Sequence, residues 1–295
     1  MKVIRDIRQS DNWSNYLASL GWKAFKTSSG VIAEYRNTPF GKIVKIQRPV
    51  NITPKDIEEI ENKLDKLLFI KIEPYQKVNL ATCGFTNSES PLLPPSTIYV
   101  DLELGKEELK KSMSRSARYS INKAARDGDI VDIYQNPSND ALKKFHTLLR
   151  ETGRRNHFYV QPFDDLTTKR DLFNQESFLI TVKDKKNNLI GGNFYLGHAG
   201  TIWALHIATG SFRKASKGGY LLVGTAIPYF KHLGYTTMDM EGVQDKRFLV
   251  FTKHWGGFTE FKSRFGGEVI EMPHPLIKIY NPLFKVLTSL PKVSF

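Results

Sequence analysis

Between residues 177 and 209 the chain reads SFLITVKD, NLIGGNFYLGH and TIWALHIAT, three apolar segments rich in β-branched and aromatic residues. Only Lys185-Lys186-Asn187 and Ala199-Gly200 separate them. Connections this short cannot hold a crossover helix, so the three segments are read as consecutive antiparallel strands of a meander. The continuation narrows the fold further. The loop SFRKASKGG feeds a long apolar stretch, YLLVGTAIPYFKHLG, with helical length, and YTTMDMEGV reads as a strand after it. Strands, a helix launched from a basic glycine-containing loop and one more strand make an α+β core with a helix N-terminus open to an anion.

The same grammar recurs, less completely, in residues 1 to 100. GKIVKIQRPV reads as a strand and TPKDIEEIENKLDKLLF as a helix, with Thr53 as cap, Pro54 in the first turn, and Ile57, Ile60, Leu64 and Leu67 on one face. The stretch SPLLPPST, residues 90 to 97, reads as a connector inside a domain and not as a linker between domains. TIYVDLEL is a strand. KEELKKSMSRSARYSINKAARDGDIV is read as a single helix with Leu109, Met113, Ala117, Ile121 and Ala124 inward and Lys110, Lys111, Arg115, Arg118, Lys123 and Arg126 outward. NDALKKFHTLLRETGRRNHF is a further helix. In FTEFKSRFGGEVIE, residues 258 to 271, the alternation of Phe261, Ser263 and Phe265 with Lys262 and Arg264 has the period of a strand. The expectation is an α+β protein of two related lobes, each a mixed, mainly antiparallel sheet flanked by helices, with a cleft between them. The first lobe spans 1–137, and the second spans 138–295 and carries the strand at 258–265.

Charge and missing motifs restrict the chemistry. Lysine and arginine number 43 against 30 aspartates and glutamates, a formal net charge of +13 that suits phosphate-bearing partners. The single cysteine, Cys83, excludes an internal disulfide and a cysteine metal cluster, and its apolar setting ATCGF reads as core. The start has no signal-peptide core and no run reaches membrane-span length, so the expected location is the cytoplasm. No histidine pair has zinc-ligand spacing, no GxSxG elbow is present, and the Walker and GxGxxG patterns are missing; no metal is expected.

What remains is RKASKGGY, residues 213 to 220, which approximates the Arg-x-x-Gly-x-Gly loop by which GNAT acyltransferases hold a pyrophosphate. Arg213, Lys217, Gly218 and Gly219 form this candidate phosphate loop, with Ser216 where the first glycine is expected. Further segments resemble the Fem (FemABX) family of peptidyltransferases, in the family's order. They are RQSDNWSNYLASLGW, with Gln9, Ser10, Trp13 and Trp22; KIQRPV, with Arg48 and Pro49; and KIEP, with Glu73 and Pro74. The strand and basic helix from Thr97 follow, with Asp101, Arg118, Tyr119, Ile121, Lys123 and Ala124. RETGRRNHF then supplies Thr152, Arg155 and Phe158, and MDMEGV and FTEFKSRFGGE close the series. The long helical hairpin that some members carry is absent, so the chain resembles the shorter ones.

That resemblance implies two GNAT-like lobes, an aminoacyl-tRNA donor with no separate cofactor, and UDP-MurNAc-pentapeptide or lipid II as acceptor. It also assigns Arg155 to the nucleotide-linked acceptor, and Arg154 beside it suits a bidentate grip on phosphate. Lys262 is the candidate donor to the oxyanion of the tetrahedral intermediate, with Phe261 next to it, while Asp239 or Asp101 is placed to assist proton transfer. Arg48, Arg118 and Lys123 are candidate anion contacts, and His206, Trp203 and Tyr220 candidate liners of the second lobe. Two other readings stay open: a GNAT N-acyltransferase using acyl-CoA, and a non-catalytic RNA-binding protein. The run PLIKIYNPLFKVLTSLPKVSF, with Lys278, Lys285 and Lys292, suits either a helix on the second lobe or peripheral contact with anionic lipid at the inner membrane face. A monomer is expected.

Overall fold

A computed structural model describes residues 3–210 and 217–281. Its strands, in chain order, are β1 (Lys23–Lys26), β2 (Ile32–Thr38), β3 (Gly41–Gln47), β4 (Leu67–Glu73), β5 (Thr86–Asn87), β6 (Ser96–Asp101), β7 (Ile130–Gln135), β8 (Ser177–Lys183), β9 (Leu189–His198), β10 (Thr201–Thr209), β11 (Thr237–Asp239), β12 (Glu268–Glu271) and β13 (Leu276–Ile279). The helices are α1 (Asp11–Ser19), α2 (Pro54–Lys63), α3 (Lys106–Ser112), α4 (Arg115–Arg126), α5 (Asn139–Asn156), α6 (Phe163–Phe173), α7 (Gly218–His232), α8 (Leu249–Thr252) and α9 (Gly256–Ser263). The chain divides into two units: residues 1–96, 242–255 and 271 onward form the first, and 97–241 with 256–270 the second.

This division is not the expected one at 137/138. Strand β6 sits between β12 and β11, and β7 pairs with β8, so residues 97–137 build the second sheet. The crossing point at Ser96–Thr97 makes SPLLPPST the passage between units, contrary to its reading as an internal connector.

In the first unit the strand order is β1-β2-β3-β4-β13-β5, antiparallel throughout except for the parallel pair β3 and β4. Helix α2 begins as its sequence requires: Thr53 accepts from Asp56 N–H, the Asp56 carboxylate takes the Thr53 N–H in return, and Pro54 fills the first position. Its Ile57 and Ile60 pack with Val44, Ile46, Ile70 and Ile72 from β3 and β4 in one apolar core. The motif residues near the start are structural. Ser10 caps α1 by accepting from Trp13 N–H, and the Gln9 amide bridges Ile32 and Gln47, at the ends of β2 and β3. The passage SPLLPPS is fastened by buried charges. Lys71 donates to the Ser90 carbonyl, Glu73 takes the Leu92 and Leu93 N–H groups, Arg48 donates to the Pro94 carbonyl, and Asp245 accepts from Ser96.

The second unit has the order β12-β6-β11-β10-β9-β8-β7. The β8-β9-β10 meander is present, antiparallel as its short turns require, and β11 runs parallel to β10. Opposite faces of this sheet carry different helices. Phe178 and Tyr195 meet Phe230 of α7 on one side, whereas on the other Phe145 of α5 lies over Gly192, and Phe194 stacks on His206.

Two sequence expectations fail here for local reasons. The single basic helix is broken at Met113–Ser114: Arg118 donates back to the Lys110 and Met113 carbonyls at the end of α3, and Ser114 caps α4 by accepting from Ala117 N–H. The expected catalytic strand at 258–265 is the end of helix α9. Phe258, Phe261 and Phe265 are spaced by three and four residues, and Phe261 and Phe265 both pack on Tyr220, so helical packing prevails over the two-residue alternation. Gly266 and Gly267, at φ 82° and 90°, turn the chain into β12; a Cβ on either would come within 2.5 Å of Ser112 Oγ or the Tyr99 carbonyl.

Candidate active site

The turn after β11 is built from the legible motif Asp239-Met240-Glu241-Gly242. Asp239 stands level with Trp203 of β10 and Tyr99 of β6. Its buried carboxylate accepts from the Thr97 hydroxyl and from the Glu241 N–H at 2.7 Å. These bonds hold Glu241 at φ 58°, a left-handed conformation uncommon for a side chain of this size. Lys262 Nζ donates to the Glu241 carbonyl at 3.1 Å.

Lys262 lies half-buried in the last turn of α9. Burial pushes its ammonium pKa down to about 8, against the opposing pull of the Glu241 and Asp239 carboxylates. A lysine in that range is charged at neutral pH and releases its proton on mild alkalinisation. Its neighbour Phe261 is a packing anchor: the ring lies 5.1 Å from both Tyr220 and Phe265 and faces Gly219, whose Cβ, if present, would be 3.7 Å away. The Tyr220 hydroxyl accepts from Arg264 at 2.6 Å, and Arg264 also pairs with Glu260. The helix bearing Lys262 is thereby fastened to the first turn of α7.

That first turn contains what is described of the candidate phosphate loop. Lys217 is the N-cap of α7, with its ammonium 5.8 Å from the Tyr220 ring centre and no capping bond from its own side chain, and Gly218 is buried. Arg213 and Ser216 lie outside the described residues.

Arg155 is held at the end of β10, where its Nη2 donates to the Thr209 carbonyl at 2.5 Å and to the Thr209 hydroxyl at 3.0 Å. Thr152, one turn earlier, is bonded to the same residue through its hydroxyl. β10 and β11 are parallel, and Asp239 at the end of β11 is level with Trp203, six residues before Thr209, so the Lys262 turn and the Arg155 grip stand at different heights along β10. Arg154 is exposed beside Arg155.

The other expected contacts are placed differently. Arg48 is buried and committed to Pro94, with Glu73 beside it, which removes it from the exposed anion contacts. Arg118 is held against the end of α3 by backbone carbonyls, and Lys123 pairs with Asp127 at 3.1 Å, so of the two Lys123 is the one paired with an acid. Asp101 is exposed and turned onto the Glu103 N–H, and Trp203 is core. His206 sits at a bulge of β10, 3.4 Å from Lys169 and 4.0 Å from Asp165. Burial and the Lys169 ammonium drive its pKa down to about 3, so it is a neutral imidazole. Sequence reasoning passed over Glu241, Thr97 and Thr209, which act through a turn conformation, a cross-strand hydroxyl and a strand end. Among the described residues no three His, Cys, Asp or Glu side chains are grouped to hold a metal, and no helix is long and apolar enough to cross a membrane.

No protein-family model matches the sequence, and no curated protein is similar to it in sequence. Solved structures are similar in fold. FemX superposes with a TM-score of 0.79 at 18% identity, over 96% of this chain and 94% of FemX. The C-terminal domain of a putative lysylphosphatidylglycerol synthetase from Agrobacterium fabrum gives 0.64 at 14% identity, covering 96% and 91%. L-PGS from Bacillus licheniformis gives 0.62 at 14%, covering 98% and 97%. The two mainly antiparallel mixed sheets with flanking helices are thus shared with these structures, and the chain has the fold of FemX.

Proposed function

We propose that the chain is an aminoacyltransferase that moves an amino acid from the 3′-ester of an aminoacyl-tRNA to the stem-peptide amine of a peptidoglycan precursor, building an interpeptide bridge. The observation that carries this reading is the half-buried Lys262 ammonium, fixed by Glu241 at the end of β11 in a chain that shares the FemX fold over 96% of its length. In the reaction the amine nitrogen bonds to the ester carbonyl carbon, whose oxygen becomes negative. Lys262 donates to that oxygen. Collapse breaks the bond to the 3′-oxygen, which leaves with the proton lost by the amine. Asp239 acts as a positioning residue through the Glu241 turn, and Phe261 through its packing on α7. Arg155 and Arg154 take the acceptor's phosphates. The donor brings the reactive group, so no further cofactor is needed; the enzyme works as a cytoplasmic monomer on UDP-MurNAc-pentapeptide or lipid II.

A second reading, acyl-CoA as donor, is supported by the composition of the start of α7, where Lys217, Gly218 and Gly219 give the basic, glycine-containing helix start that suits a pyrophosphate. One assay separates the two. Purified protein is incubated with UDP-MurNAc-pentapeptide and either mixed charged tRNAs or acetyl-CoA, and the acceptor is weighed by mass spectrometry. An added amino-acid residue in the tRNA arm, lowered about 10²–10³-fold in turnover by Lys262→Met at unchanged melting temperature, is the expected result. An acetylated acceptor transfers the assignment to the second reading. Equal retention of charged and uncharged tRNA with no product in either arm sinks both and leaves an RNA-binding protein.

A further inference from the structure

Helices α3, α4 and α7 of the second unit enclose a cavity of about 680 Å³ that the transfer chemistry does not use; Lys262 lines no part of it. Its floor is aliphatic, made by Leu109, Met113, Ile121 and Ile227. Around the floor stand Lys106, Lys110, Arg118, Lys231 and His232, and among the described residues no carboxylate lines the cavity. Two of these cations are fixed in place without being neutralised. Arg118 is held by the backbone carbonyls of Lys110 and Met113, and Lys231 by the carbonyl of Leu102 at 2.7 Å. On α3, Glu108 is turned back onto the Gly105 N–H. Lys106 and Lys110 are exposed at the mouth.

We propose that this groove binds one molecule of an anionic phospholipid, with a hydrocarbon chain on the aliphatic floor and the phosphate among the rim cations. Charge complementarity selects the headgroup: four permanent cations with no lining acid favour a phosphate over a zwitterion or a neutral glycolipid. The floor selects the tail. RNA could satisfy the rim through its phosphates but would leave the aliphatic floor uncovered, and among the described residues no Phe, Tyr or Trp lines the cavity to stack a base. An amphipathic peptide of the usual basic kind would meet like charge at the rim. The proposal goes beyond the aminoacyl-transfer reading, and the site would exist whichever donor the enzyme uses.

The test uses the full chain and a monoacyl phosphatidylglycerol below its micellar concentration, with monoacyl phosphatidylcholine of equal chain length, inorganic phosphate and tRNA as the other probes. Saturable binding of the phosphatidylglycerol is expected, at least about tenfold tighter than the phosphatidylcholine, with no displacement by millimolar phosphate. The double charge reversal Lys106→Glu with Lys110→Glu changes only exposed positions and should weaken that binding about tenfold or more, since each basic residue near such a headgroup contributes about 1 kcal/mol. Ile121→Ser, which removes apolar surface from a half-buried part of the floor, should weaken it about tenfold without changing the charge of the rim. Equal binding of the two lipids, or undiminished affinity in the charge-reversed protein, overturns the proposal. So does tRNA retention that disappears in that protein while the parent binds neither lipid.

Discussion

Lys262 and Glu34 are side chains whose burial makes part of the protein's pH dependence predictable. Lys262 has a folded pKa of about 8 against 10.5 unfolded, so protonation costs the fold below pH 8 and that cost is relieved as pH rises from about 8 to 10.5. Lys262→Met should therefore be at least as stable as the parent at pH 7 and lose the alkaline rise in urea midpoint. If the ammonium serves the oxyanion, turnover falls as pH passes 8. A rise in turnover up to pH 8 would identify the neutral amine as a base and remove the oxyanion role. Glu34 carries the opposite sign. It is fully buried on β2, level with Lys45 of β3, and burial raises its pKa from 4.5 to about 8 although Lys45 pulls it down. Between pH 4.5 and 8 the folded state keeps a proton that the unfolded state has lost, so stability falls as pH rises through that window. Glu34→Gln should flatten the fall, read as urea midpoints from pH 5 to 8; an unchanged slope would show that Glu34 is ionised in the fold. Neither shift was legible in sequence, because burial depends on the partner strand. Gln9, Ser10 and Trp13 were legible as a motif, but their contacts are a strand bridge, a helix cap and the ring pair with Tyr16.

At the level of elements, local chemistry was readable wherever one segment decides its own state. The Thr53–Asp56 capping box and the short turns of the meander are examples. It failed where a partner decides. The aromatics of α9 become a helical face only because Tyr220 of α7 receives Phe261 and Phe265, and α3 and α4 separate at Ser114, whose N–H donates to the Arg264 carbonyl. Thr152 and Arg155 show how a motif read as binding also holds structure, since both grip Thr209. Thr152→Val keeps the shape and removes those hydrogen bonds, so it should destabilise by about 1–3 kcal/mol through the polar groups left unpaired, read from chemical denaturation. Arg155→Ala should instead weaken acceptor affinity with a smaller stability loss. Equal losses of acceptor affinity in the two variants would mean that the pinned strand end, and not the guanidinium, serves the acceptor.

The whole chain is interleaved in a way no local pattern announces. Three segments make the first unit and two the second, so the backbone passes between units four times. The sequence suggested two lobes in succession because each stretch carries its own strand and helix signals, whereas β6, β12 and β13 are assigned by long-range pairing alone. The run beginning at Pro275 illustrates the consequence. Its lysines and apolar clusters suit a membrane-resting segment or a helix on the second lobe, yet Leu276–Ile279 is β13, hydrogen-bonded to β4 on one side and β5 on the other within the first sheet; residues from 282 onward lie outside the described ones. Removing an interior strand leaves two rows of unpaired backbone groups and uncovers the apolar core beside Ile70 and Ile72. Truncation after Pro275 should therefore give a chain whose first unit is unfolded, seen as loss of near-ultraviolet dichroism and rapid proteolysis before Ser96. The separate fragments 1–137 and 138–295 should fail to fold, because the cut parts β6 and β7 from β11 and β8. A folded 1–275 chain would show that β13 is an accessory to the sheet and not a member of it.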